Sequence, residues 1–107
     1  MRDEIMTQLK DLQAKIAREI GCFPHSCCEQ TAMRVERLDI GLEYAHGIFI
    51  RSDGFGIEHA WNYCPETDEY VDLTAHQFPG IEADILVLKK GSNKAEELYL
   101  EDWHVCW

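Results

Sequence analysis

Apolar residues recur along this chain first at spacings of three and four, and later at every second position. Ile5, Leu9, Leu12, Ile16 and Ile20 fall on one helical face, which predicts an amphipathic helix over residues 2–20. Asp3 and Glu4 sit near its start, where the helix dipole favours negative charge, and Gly21 is a natural stop. The apolar face is expected to pack on the body of the domain. Gly21 to Ser26 reads as a loop, because Pro24 biases Phe23 away from helical geometry. Ser26 suits an N-cap, and Glu29 three residues later completes a capping-box pattern. A second helix is expected over 27–39. Cys28, Thr31, Ala32, Val35 and Leu38 share one side of it, and Gly41 ends it.

From residue 42 the pattern becomes extended. Leu42 to Arg51 mixes β-branched and aromatic residues with polar ones, and Ser52 to Gly56 contains an Asp-Gly turn signal. Ile57 to Cys64 reads as a second strand, Pro65 to Asp68 as a turn, and Glu69 to Leu73 as a short third strand. The short connections predict an antiparallel meander. A register centred between residues 66 and 67 would set Trp61 opposite Asp72 and put His59, Trp61 and Asp72 on one face. Thr74 to Asp84 is irregular. Ile85 to Leu88 is a continuous apolar run, expected as a buried strand. Trp103, Val105 and Trp107 alternate with polar residues, as a last strand with one buried face would. The expected fold class is α+β: N-terminal helices packed on a mostly antiparallel sheet. The expected layout is one domain over 1–107, with an N-terminal helix (1–20), a cysteine-bearing helix (27–40) and the sheet (42–107).

Composition changes this picture in two ways. At 107 residues there is room for one core and not two. The net charge of −10 would repel a phosphate backbone, so nucleic-acid binding is disfavoured. There is no apolar run long enough to span a membrane, and Met1 to Glu4 lacks the basic start of a signal peptide. A reducing, cytoplasmic setting is therefore expected, with free thiols rather than bridges among the five cysteines.

The candidate chemistry lies in Cys27 and Cys28, His59 and Asp72. The two thiols open a helix, where unpaired backbone N–H groups and the dipole favour a thiolate. His59 could take the thiol proton, and Asp72 on the next strand could orient the ring. A metal reading has to be weighed beside this, since Cys22, His25, Cys27, Cys28, His59 and Cys64 are all potential zinc ligands. The chain has no C-x-x-C pair and no second pair at zinc-ribbon spacing, so no metal and no cofactor is expected.

Three pieces resemble the papain-like/transglutaminase-like superfamily of thiol enzymes. Ser26-Cys27-Cys28-Glu29-Gln30-Thr31 looks like the helix-opening cysteine with a small residue four positions on. His59-Ala60-Trp61-Asn62 is similar to the His-Ala-Trp strand of the transglutaminase-like branch. Val71-Asp72-Leu73-Thr74, with Gln77-Phe78 after it, is similar to that branch's aspartate strand, and Leu38 to Leu42 around Gly41 sits where such proteins have a Leu-Gly-Ile helix end. The likeness spans residues 21–78.

The resemblance implies a Cys-His-Asp triad acting on an amide of a peptide or protein, as a peptidase, deamidase or transglutaminase. On it, Glu29, the Leu38 spacing and the Ser26-Cys27 pair favour Cys27 as the nucleophile, with Cys28 the alternative. The sequence departs from the papain branch in lacking a glutamine six residues before the cysteine, where Gly21 and Cys22 stand. The oxyanion would then fall to backbone N–H groups at the helix start. Two other readings stay open: an inactive interaction protein that keeps the fold, and a Cys/His zinc-binding module.

Overall fold

The computed structural model describes residues 2–101. Helix α1 (Asp3–Glu19) and helix α2 (Cys28–Arg37) come first. Strands β1 (Glu43–Ile50), β2 (Gly56–Cys64) and β3 (Glu69–Asp72) follow as an antiparallel meander. A short 3-10 turn at Ala75–Gln77 leads on to β4 (Leu86–Lys89), then α3 (Asn93–Leu98) and β5 (Tyr99–Glu101). The sheet order is β4-β3-β2-β1-β5 and each neighbouring pair of described strands runs antiparallel, so the fold is α+β.

The period-two alternation of the strands divides the interior into two layers. On one face Cys64 of β2 and Val71 of β3 pack with Leu9 of α1 and Val35 of α2, and Leu42 and Leu73 complete that cluster. On the other face Ala45 and Phe49 of β1, Trp61 of β2 and Tyr70 of β3 pack with Phe78, Ala95, Leu98 and Tyr99. Both faces are thus covered, the first by α1 and α2 and the second by α3 and the segment around Phe78.

Several expectations need adjusting. The N-cap of α2 is Cys27, and Ser26 lies outside the helix with φ +60, so the expected capping box does not form. The first helical bond closes from Thr31 N–H to the Cys27 carbonyl, one residue later than a Ser26 cap requires. The apolar run at 85–88 falls on β4, which is only partly buried; among the described residues β3 is the one strand that pairs with it, and β4 lies at the sheet edge. Helix α3 was not expected; its cap, Ser92, accepts from Ala95 N–H at 3.2 Å. The strand expected at 103–107 lies outside the described residues. The register of β2 on β3 pairs Asn62 with Val71 and Tyr63 with Tyr70, the centring the sequence suggested.

Polar side chains help tie the cysteine-bearing helix to the sheet: Glu36 of α2 accepts from the Tyr44 N–H of β1 at 2.9 Å. The fully buried Asn62 amide donates to the Ala32 carbonyl of α2 at 2.9 Å and to the Glu43 carbonyl of β1 at 3.2 Å. Replacing it with alanine removes both bonds and leaves a void between helix and sheet. Asn62→Ala should therefore lower unfolding free energy by about 1–3 kcal/mol, read as a lower midpoint in equilibrium denaturation with an unchanged slope.

Candidate active site

The site forms where the sheet opens. Strand β3 pairs with β2 only from Asn62 to Cys64, so among the described residues no strand pairs with β2 on that side before Asn62. The N-terminus of α2 comes to this gap. There the Ala60 backbone N–H is hydrogen-bonded to the Cys28 sulfur, and the Cys28 thiol interacts with the His59 ring. Cys28, Glu29, His46, Glu58 and His59 line a cavity of about 100 Å³. A second cavity of about 260 Å³, lined by Ser26 to Gln30, shares Cys28 and Glu29 with it.

His59 is 1% exposed and points to the aromatic face of the sheet. Phe78 and Phe49 stand edge-on to its ring, at 5.1 and 5.7 Å between centroids, and Trp61 flanks it at 6.0 Å. These rings fix the imidazole plane and exclude water. Nε2 bonds Asp72 Oδ2 at 2.7 Å, which leaves Nδ1 as the ring nitrogen free to serve Cys28.

Asp72, also 1% exposed, has both oxygens occupied. Oδ1 accepts from the Thr74 N–H at 2.9 Å and the Thr74 hydroxyl at 3.3 Å. Oδ2 accepts from His59 and from the Tyr99 hydroxyl, each at 2.7 Å. A buried carboxylate requires such partners, since its charge has left water. Thr74 and Tyr99 are members of the site that the sequence reading missed. An Asp-x-Thr spacing is a known side-chain turn signal and could have given Thr74. Nothing local marks Tyr99, which arrives from β5.

The pair of thiols divides clearly. Cys27, which the sequence favoured, is buried as the N-cap; burial pushes its pKa up against the opposing pull of the Thr31 hydroxyl. Cys28 is the thiol brought to His59. Burial would raise its pKa too, but the His59 hydrogen bond, the Ala60 N–H and the imidazolium charge outweigh it, and the net shift is downward. Burial alone would lower the His59 pKa. The hydrogen bond to Asp72, the one to Cys28 and the charges of both overcome it and raise the value from 6.5 to about 9. The two shifts share one cause: the contact between Cys28 and His59 favours the thiolate and the imidazolium together.

The other candidate ligands do not converge. Cys22 and His25 are exposed, while Cys64 lies in the helix-side core. Cys22, Cys27, Cys28 and Cys64 are free thiols. Among the described residues no group of three His, Cys, Asp or Glu side chains is placed to hold a metal ion. No described helix is long and apolar enough to cross a membrane.

The raised pKa of His59 has a signed consequence. Folding raises its proton affinity, so its contribution to stability is complete below the unfolded value of 6.5 and disappears as pH rises through about 9. In Asp72→Asn the carboxylate charge is gone and burial remains, so His59 should lose its proton at a much lower pH than in the wild type. Imidazole NMR titration reads this directly. The stability gap between the two proteins, read by denaturation, should narrow above pH 9.

Compared with protein-family models, with curated proteins and with solved structures, the chain matches none.

Proposed function

We propose that the chain is a thiol-dependent enzyme of amide bonds, hydrolysing them or passing the acyl group to an amine, with Cys28 as nucleophile, His59 as acid and base, and Asp72 as the group that orients His59. The observation that carries this reading is the buried bond from His59 Nε2 to Asp72, made while the other side of the ring serves a helix-start thiol. The resemblance to the papain-like/transglutaminase-like superfamily supports it, with the nucleophile moved one residue along from Cys27.

The Cys28 thiolate attacks the amide carbonyl, and the negative charge that develops on oxygen falls to free N–H groups at the start of α2. His59 then gives its proton to the departing amine, leaving an acyl-thioester. Water or an amine next surrenders a proton to His59 as it attacks, and the thiolate is restored. Asp72 keeps Nε2 protonated, so that Nδ1 is the nitrogen that cycles.

The two cavities at the thiol, about 100 and 260 Å³, are each smaller than the roughly 300–1,000 Å³ of small-molecule sites. The substrate suited to them is an exposed side chain or strand of a peptide or protein. The same smallness favours, as a second reading, a protein that keeps this couple but only binds its partner.

Alkylation by iodoacetamide at pH 6, followed by peptide mass spectrometry, tests the thiol. Cys28 should label faster than Cys22, because a downward pKa shift enlarges its thiolate fraction at that pH. Cys27→Ala should keep that rate, and His59→Ala should bring Cys28 down to the Cys22 rate. Equal labelling of Cys28 and Cys22 in the wild type would defeat the reading. Fast labelling without ammonia release or cleavage on a panel of glutamine-bearing proteins would assign the chain to binding alone.

A further inference from the structure

We infer that Tyr99 is a positioning residue of this site: by donating to the oxygen of Asp72 that also holds His59, its hydroxyl sets how firmly the imidazolium keeps its proton. The inference rests on the thiol-enzyme reading above and adds to it a residue from the far end of the described chain.

Packing alone does not call for this hydroxyl. The Tyr99 ring lies 4.7 Å from Trp61 and 5.3 Å from both Phe49 and Tyr70, contacts a phenylalanine would also make. The residue is only 4% exposed, and a buried hydroxyl is costly unless it is used. The hydrogen bond it donates to Asp72 Oδ2, at 2.7 Å, uses it. Tyr70 in the same cluster sends its hydroxyl elsewhere, to Glu101 Oε1 at 3.0 Å.

Two donors on one carboxylate oxygen compete for its charge. The share taken by Tyr99 is withdrawn from the His59 bond, so the phenol tempers the pull of Asp72 on the imidazolium. Burial, followed by the charge of Asp72 and the bond to it, pushes the Tyr99 pKa far above the ordinary phenol value. The phenol therefore stays a donor over the whole range in which His59 titrates. The titratable groups facing the His59–Asp72 couple among the described residues are Cys28 from α2 and Tyr99 from β5. Tyr70 stands behind Tyr99, and Glu29, His46 and Glu58 line the cavity on the thiol side.

The test is the pH at which His59 loses its proton, followed by imidazole NMR in the full chain. Tyr99→Phe should raise that pH by about one unit, the size that a charge-assisted hydrogen bond supports. Tyr70→Phe, which deletes a hydroxyl from the same cluster without touching Asp72, should leave it unchanged. Fluorination of Tyr99 beside the hydroxyl strengthens the donor and should move it down. If Tyr99→Phe does not fold, the fluorinated protein alone decides. A titration that does not move, or moves the other way, or moves equally in Tyr70→Phe, overturns the inference. Iodoacetamide labelling of wild-type Cys28 is measured beside it. A fast Cys28 with an unmoved titration removes Tyr99 and leaves the enzyme reading standing. A slow wild-type Cys28 removes the enzyme reading itself.

Discussion

The burial of one negative charge organises this small domain. Asp72 sits at the end of β3 with almost no access to water, so its oxygens need hydrogen-bond partners from the protein. It stays because Thr74, His59 and Tyr99 surround it with four hydrogen bonds. Removing one partner of such a buried pair typically costs about 3–5 kcal/mol, a large part of the stability of a domain this size. The aromatic packing around it serves the same end. Phe49 and Phe78, stacked at 4.1 Å, and Trp61 close the ring of His59 off from water, so the charge couple works in a low-dielectric setting.

The thiol lies at the boundary of that setting. The sheet lets α2 approach because β3 leaves β2 after Asn62, and Asn62 holds the helix at that point through the Ala32 carbonyl. An unpaired strand edge is normally a liability. In this fold, the freed Ala60 N–H turns to the Cys28 sulfur. The same break in pairing that opens the sheet thus helps to lower the thiol's proton affinity.

Much of this was legible in the sequence because the signals were periodic. The helical spacing of Ile5, Leu9, Leu12 and Ile16 and the alternation through β2 depend on local residues alone. The same holds for the short turn at 65–68, which fixes the register and with it the shared face of His59 and Asp72. The choice between the two cysteines was not legible, and the reason is geometric. Glu29, the Leu38 spacing and the Ser26-Cys27 pair favoured Cys27, but a helix turns about 100° per residue, so adjacent thiols face different ways and only the packing of α2 decides which meets His59. Apolar periodicity set Cys28 in line with Ala32 and Val35, which was the better guide. Tyr99 was beyond reach for another reason. Its contact with Asp72 spans 27 residues and depends on β5 returning to the β1 edge, a long-range pairing with no local mark. Apolar character was also read too simply at 85–88, where the run reflects a strand seated at a sheet edge and covered in part on both faces.

The order of the strands bears on how the chain acquires this site as it folds. β1, β2 and β3 are neighbours in sequence and can pair early, since closing short loops costs little chain entropy. The strand that carries Tyr99 joins the opposite edge of the sheet from β4, after the chain has passed the whole width of it. A partly folded meander would already hold His59 near Asp72 while one side of the carboxylate still faced solvent. The shell around this carboxylate is therefore finished only when β5 pairs with β1 and brings the Tyr99 hydroxyl to Oδ2, so the surroundings of His59 depend on the sheet as a whole.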